Sequence, residues 1–452
     1  MSEWLIDRFA HYADRPFLAQ NNRVYTYSHL SEAIDGYYTH FAEKGIRAGD
    51  IVTLETDYSL AAIAALFALF KLKTIVAPIT TSVASELTLR RTEARAGWSL
   101  QLHPDDTAPE LLAHKPASTA HEIIAPLVKA QRSGLILFSS GSTGTPKAMV
   151  HDVDRLLNAF SKKSARQHRI LIFLLFDHIG GLNTLFNGLA GGALIVVPSS
   201  RDANAVGEAI QRHKVTLLPA SPTFLNLFLI NNAHKHFDVS SLRFITYGTE
   251  PMPESLLQRL KTALPEVHFI QTFGTSETGI SQTVGRSSKD TRIKIDDPNT
   301  EFKVVENELW LRSKTQILGY LNHDMSRFTD DGWFKTGDIV EQSDDGFLSI
   351  KGRREDVINI GGEKVNPLEI ENCLLEIPEV ADCLVYGEQN AITGQNAAAE
   401  IVPANADFDP QALKRKIKQY CRKRLSPYKV PARIRFSLKT NFNSRYKKNR
   451  IN

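Results

Sequence analysis

Leu135-Ile-Leu-Phe-Ser-Ser-Gly-Ser-Thr-Gly-Thr-Pro-Lys147 runs an apolar, strand-forming stretch directly into a loop of small hydroxyl residues and two glycines that ends on a lysine. Backbone N–H groups and hydroxyls in such a loop turn toward a phosphate chain, and Lys147 adds a point charge. The loop differs from a Walker A sequence, which needs glycine immediately before the lysine and Ser or Thr after it; here Pro146 precedes and Ala148 follows. A P-loop ATPase or kinase is disfavoured on that ground.

Outward from this loop, short β-branched runs at 74–78, 194–198 and 243–247 alternate with amphipathic stretches, the pattern of parallel sheets flanked by helices. Near 331–352 the pattern changes to short strands and turns, a meander leading to a hinge at 352–356. Beyond it we expect the start of a helix over Pro367–Leu375, strands over 380–386 and 397–402, and a basic helix over Pro410–Arg424. The fold class is therefore α/β, with a large N-terminal domain (1–352) and a small C-terminal α+β domain (353–452). A chain of 452 residues exceeds one ordinary core and suits a large domain plus a smaller one.

Apolar residues make up 42% and charged residues 23% of the chain, the balance of a soluble globular protein. The longest apolar stretch, 61–70, falls far short of the roughly 20 residues that cross a bilayer. The N-terminus carries charges throughout and lacks the apolar core of a signal peptide, so a cytoplasmic protein is expected. Cys373, Cys383 and Cys421 show no metal-ligand spacing and read as reduced structural thiols. The net charge of +4 is unevenly spread: from Gln411 onward there are 15 Lys and Arg and no acid, leaving 39 basic residues against all 50 acidic ones before it. Apolar residues interrupt that basic run, which favours a folded basic face over a nucleic-acid-binding arm. Phosphates or an acidic protein are its natural partners.

The segment from Ser139 to Lys147 resembles the phosphate-binding signature of the adenylate-forming superfamily, which includes acyl-CoA and aryl-CoA synthetases, luciferases and peptide-synthetase adenylation domains. Further segments match in the same order: Val24-Tyr-Thr-Tyr-Ser-His-Leu, Tyr247-Gly-Thr-Glu-Pro-Met-Pro253, Phe273-Gly-Thr-Ser-Glu277, Glu308-Leu-Trp-Leu through Gly319-Tyr-Leu-Asn322, Trp333-Phe-Lys-Thr-Gly-Asp338, and Gly352-Arg-Arg-Glu-Asp-Val-Ile-Asn-Ile-Gly-Gly-Glu-Lys364. The resemblance implies a magnesium-dependent ligase that converts a carboxylic acid and ATP to acyl-AMP and pyrophosphate, then transfers the acyl group to a thiol. It is nearest to the acyl- and aryl-CoA synthetases. The acceptor is coenzyme A or phosphopantetheine on an acidic carrier protein; no nucleic acid is involved. An amino-acid-activating enzyme loading such a carrier, and a non-catalytic nucleotide-binding relative, are the alternatives.

The same resemblance assigns roles. Ser139, Ser140, Gly141, Ser142, Thr143, Gly144 and Lys147 would cradle phosphate; Gly248, Thr249 and Glu250 would line the adenine. Phe273 would stack on the base, with Gly274 and Thr275 beside it. Ser276 would contact phosphate and Glu277 would hold Mg²⁺. Asp338 would accept from the ribose hydroxyls, and Arg353 would add a charge-assisted contact. Gly361, Gly362 and Lys364 would face the pantetheine arm. His178, in Phe173-Leu-Leu-Phe-Asp-His-Ile-Gly-Gly-Leu-Asn-Thr184, would sit at the mouth of the acyl pocket; alternatively, Phe176-Asp177 would bind a substrate amine. The mobile catalytic lysine is assigned to Lys447, with Lys448 the alternative, because the C-terminal sequence lacks the proline and glycine of the family motif.

Overall fold

A computed structural model describes residues 3–102, 109–114, 121–139, 145–286 and 290–438. Two seven-stranded sheets form the frame of the N-terminal part. One runs, edge to edge, through His268–Gln271, Phe244–Tyr247, Leu217–Ala220, Arg169–Leu171, Leu194–Val196, Pro16–Gln20 and Arg23–Thr26, parallel except for the last pair. The other has a parallel centre of Gly134–Ser139, Ile75–Ile79, Ile51–Glu55 and Trp98–Gln101, with antiparallel strands at both edges.

The helix Leu60–Lys71 shows how sequence dictates placement. Nine consecutive residues, Ala62 to Phe70, are buried, because a helix that is apolar all round needs cover on every side. Ser59 caps its start, accepting from the Ala62 N–H at 3.0 Å. This helix and its neighbours share a core with residues of both large sheets, from Leu18 and Ile195 to Leu54 and Leu135. No helix among the described residues is long and apolar enough to cross a membrane.

A third sheet departs from the parallel pattern read in the sequence. Six strands spanning 283–353 pair antiparallel throughout. The meander expected at 331–352 belongs to it: Phe334–Gln342 and Leu348–Arg353 pair around the turn at Gly346. Short strands joined by tight turns can only pair antiparallel.

Beyond Arg353 a 3₁₀ turn, Arg354–Asp356, leads to a five-stranded sheet with helices Pro367–Leu375, which starts where expected, and Pro410–Arg424, with the bounds expected. Pro at the first helical turn and side-chain caps from Asn366 and Asp409 fix their starts. The core of this part draws only on residues from 358 onward. All three cysteines are buried in it. The basic helix is folded as expected, and two of its charges meet acids of the same unit: Lys416 with Glu379, and Arg424 with Glu376.

Candidate functional site

A cavity of about 660 Å³ opens where several parallel strands end. Ser139 closes one strand, Ala220 another, and Gly248 follows a third; ligands in open α/β sheets bind outside such carboxyl ends. Ser139 and Lys147 are also direct partners across an antiparallel pair, so the two ends of the loop between them are pinned together at the cavity wall. Ser140, Gly141, Ser142, Thr143 and Gly144 lie outside the described residues.

Glu277 and Ser276 reach the cavity from a turn that follows the strand Phe273–Thr275. The turn is held by its own hydroxyls: the Thr278 N–H donates to Thr275 Oγ1 at 3.1 Å. Glu277 Oε1 accepts from the Tyr320 phenol at 3.1 Å, and Lys147 Nζ sits 5.8 Å from the centroid of the Tyr320 ring. Burial, followed by the charge of Glu277, pushes the Tyr320 phenol well above its ordinary range, so it stays a donor. No cluster of three or more His, Cys, Asp or Glu able to hold a metal occurs among the described residues. A lone carboxylate still fits magnesium, which keeps several waters and takes its other ligands from phosphates.

Gly248 is packed so closely that an added Cβ would lie 2.7 Å from Thr272 Oγ1 and 2.8 Å from Thr272 O. Thr249 beside it adopts a positive φ of 73°. Both line a second recess of about 250 Å³ together with Glu250, Phe273, Gly274, Asp338 and Arg353. The Glu250 carboxylate is engaged elsewhere, accepting from the Thr223 N–H at 2.7 Å. Thr275 lines the larger cavity. Asp338 and Arg353 are register partners on adjacent strands, with Arg353 Nε 3.3 Å from Asp338 Oδ1.

His178 lines the main cavity and caps the helix Ile179–Ala190, its Nδ1 accepting from the Gly180 N–H at 3.3 Å. Asp177 points elsewhere: it is buried and ion-paired with Arg90 at 2.8 Å, which leaves the reading of Asp177 as a partner for a substrate amine without support. Gly361, Gly362 and Lys364 sit in an exposed hairpin, where the Gly362 N–H donates to Asn359 Oδ1 at 3.1 Å. They line neither cavity, so this domain orientation does not bring them to the other site residues. Lys447 and Lys448 lie outside the described residues.

Among the residues given no role from sequence, Asn183, Thr184, Arg327 and Thr336 also line the main cavity. Asn183 and Thr184 follow His178 by five and six residues on one helix, a signal present in the quoted segment. Arg327 carries none, because its loop has no motif of its own.

Residues 6–321 match the AMP-binding enzyme family, and residues 369–440 match the AMP-binding enzyme C-terminal domain. A 2-succinylbenzoate–CoA ligase of Bacillus licheniformis is 32% identical over 67% of this chain and 65% of its own length. An indoleacetate–CoA ligase of Aromatoleum aromaticum is 30% identical over 69% of this chain and 64% of its own length. The chain thus spans a little under two thirds of these two relatives. Among solved structures, the anthranilate CoA ligase AuaEII in complex with anthranoyl-AMP superposes with a TM-score of 0.83 at 20% identity, covering 99% of this chain and 95% of that one.

Proposed function

This chain belongs to the AMP-binding enzyme family, and from that premise we propose that it activates a carboxylic acid with ATP as acyl-AMP and passes the acyl group to the thiol of coenzyme A. One observation carries the reading: Ser139, Lys147, Gly248, Ser276, Glu277 and Arg353, from four separate stretches of sequence, line one cavity at strand ends. The CoA-ligase names of the similar proteins support coenzyme A as acceptor. A cytoplasmic location, where both nucleotides are available, goes with this reading.

A carboxylate is a poor acyl donor, so its oxygen attacks the α-phosphorus of ATP and pyrophosphate leaves. Negative charge gathers on the phosphoryl oxygens in the transition state. Lys147, the loop amides and Lys447 are the groups we assign to meet it; one well-aimed donor is worth on the order of 10²–10³ in rate. Glu277 would hold magnesium, which neutralises phosphate charge. Phe273 would stack on adenine, with Gly248, Thr249 and Glu250 along its edge. Asp338 would accept from the ribose hydroxyls, and Arg353 would hold Asp338 in place.

We place the domain boundary at 352/353, supported by a C-terminal core confined to residues from 358 onward. Rotation about Arg353 and Glu355 would bring the hairpin of Gly361, Gly362 and Lys364 to the acyl-adenylate, where pantetheine enters. A carrier protein in place of coenzyme A is the second reading, favoured only by the basic helix Pro410–Arg424. Exchange of labelled pyrophosphate into ATP across a panel of fatty, aryl and amino acids, followed by thioester assay with coenzyme A, tests the function. Exchange with no acid in the panel would refute activation, and exchange without thioester would refute the acceptor.

A further inference from the structure

We propose that Arg327 is a phosphate-binding residue of this site, a fixed guanidinium that grips the pyrophosphate end of ATP. The proposal rests on the adenylating reading above for the identity of its ligand. Arg327 lines the same cavity as Lys147, Ser276 and Glu277.

The guanidinium is held from behind. Its Nε donates to Lys335 O at 3.0 Å and its Nη2 to Thr336 O. Its Cζ lies over the Phe334 ring, 5.0 Å from the centroid, a cation–π contact that helps to hold the guanidinium. Gly337, at φ +77°, lets the backbone wrap close: an added Cβ there would stand 3.1 Å from Arg327 Nη2. Two of five N–H donors are thus spent on carbonyls, which carry no charge to neutralise the group.

No carboxylate among the described residues forms an ion pair with Arg327. Of the three acids on the same cavity wall, Glu355 is engaged by Arg353 at 3.3 Å, Glu277 by the Tyr320 phenol, and Asp356 lies within the electrostatic reach of Arg353. Tyr320 lies within the electrostatic reach of Arg327, and Lys147 Nζ sits 5.8 Å from its ring centroid. Two cations therefore lie near the residue that holds the magnesium-binding candidate Glu277. Both cations line one cavity, and a polyanionic leaving group such as pyrophosphate carries enough charge to meet both. The ribose end has its own reader in Asp338, which leaves Arg327 for the departing pyrophosphate.

The test uses the full-length protein, with R327Q and R327K. Magnesium pyrophosphate and AMP are titrated separately by calorimetry, and pyrophosphate exchange is measured in parallel. R327Q is expected to weaken pyrophosphate binding, and raise its KM in exchange, by about tenfold, the effect of losing one charge-assisted contact. AMP affinity should move by no more than about twofold, and R327K should recover part of the loss. A purely structural role would lower melting temperature and both half-reactions while leaving pyrophosphate affinity of the folded variant unchanged; that result overturns the proposal, as does a rise confined to the KM for the acid. If wild-type protein shows no acid-dependent exchange yet binds pyrophosphate through Arg327, the adenylating reading fails and this one stands.

Discussion

Asp338 and Arg353 face each other across adjacent antiparallel strands, with the guanidinium Nε 3.3 Å from the carboxylate Oδ1. Burial opposes the Arg353 charge, but Asp338 and Glu355 outweigh it and hold the guanidinium above its ordinary range. The residue assigned to the ribose is thereby tied to Arg353, within the assigned hinge. Asp338→Asn removes the charge from both contacts, and hydrogen bonds to charged groups contribute about 1.5–3 kcal/mol each. The KM for ATP should rise by about tenfold or more in pyrophosphate exchange, while the KM for the acid stays near its wild-type value. An unchanged KM for ATP would remove Asp338 from the nucleotide site.

Tyr320→Phe deletes the donor to Glu277 Oε1 and nothing else at that position. Freed from this bond, the carboxylate is less firmly oriented, since partners of a ligating carboxylate position it. The magnesium concentration giving half-maximal adenylation should rise severalfold, with a smaller change in rate at saturation. Identical magnesium curves for the two proteins would show that the phenol has no such part.

His151 sets a pH dependence. It is fully buried beside the backbone of Ser276 and Thr315, and burial drops its pKa to about 4. The unfolded imidazole protonates near 6.5, so the neutral folded form favours folding fully above about pH 6.5, and that contribution is lost as pH falls toward 4. The window spans roughly 2.5 pKa units, equivalent to about 3 kcal/mol. Chemical denaturation at pH 7 and pH 4.5 should show a larger drop for wild type than for His151→Gln. Equal drops would assign the acid sensitivity to other groups.

Asn226 joins the two parts of the chain. Its Nδ2 donates to Ala381 O at 3.1 Å while its Oδ1 accepts from Arg259 Nη2 at 2.8 Å. Asn226→Ala leaves a buried carbonyl without this donor, a loss of about 1–3 kcal/mol from the domain contact. Limited proteolysis within 353–366 should accelerate severalfold, with little change in the melting of the larger part. Unaltered cleavage would mean that this contact does not restrain the small domain.

Much of this was readable from the sequence where local pattern and tertiary role coincide. Pro367–Leu375 and Pro410–Arg424 begin where expected because Pro at the first turn and a capping side chain set each start locally. The strand Gly134–Ser139 follows from its apolar run. The antiparallel sheet of 283–353 was only partly visible, since three-residue strands such as Ile293–Ile295 are too short to show a period. At the site, Lys147, Ser276 and Glu277 were legible through motif resemblance and do line the cavity. Arg327 was not, because its place depends on carbonyls of a neighbouring strand. The domain orientation that leaves Gly361 and Lys364 away from the cavity is likewise a tertiary property that no local pattern encodes.

The central claim is acyl-adenylate chemistry, and its most direct test traps the intermediate. ATP labelled at the α-phosphate is incubated with a competent acid and magnesium in the absence of thiol, quenched, and resolved. The account predicts labelled acyl-AMP bound to the enzyme in stoichiometric amount with pyrophosphate, and release of AMP with acyl thioester once coenzyme A is added. Appearance of ADP and inorganic phosphate in place of acyl-AMP and pyrophosphate would contradict it.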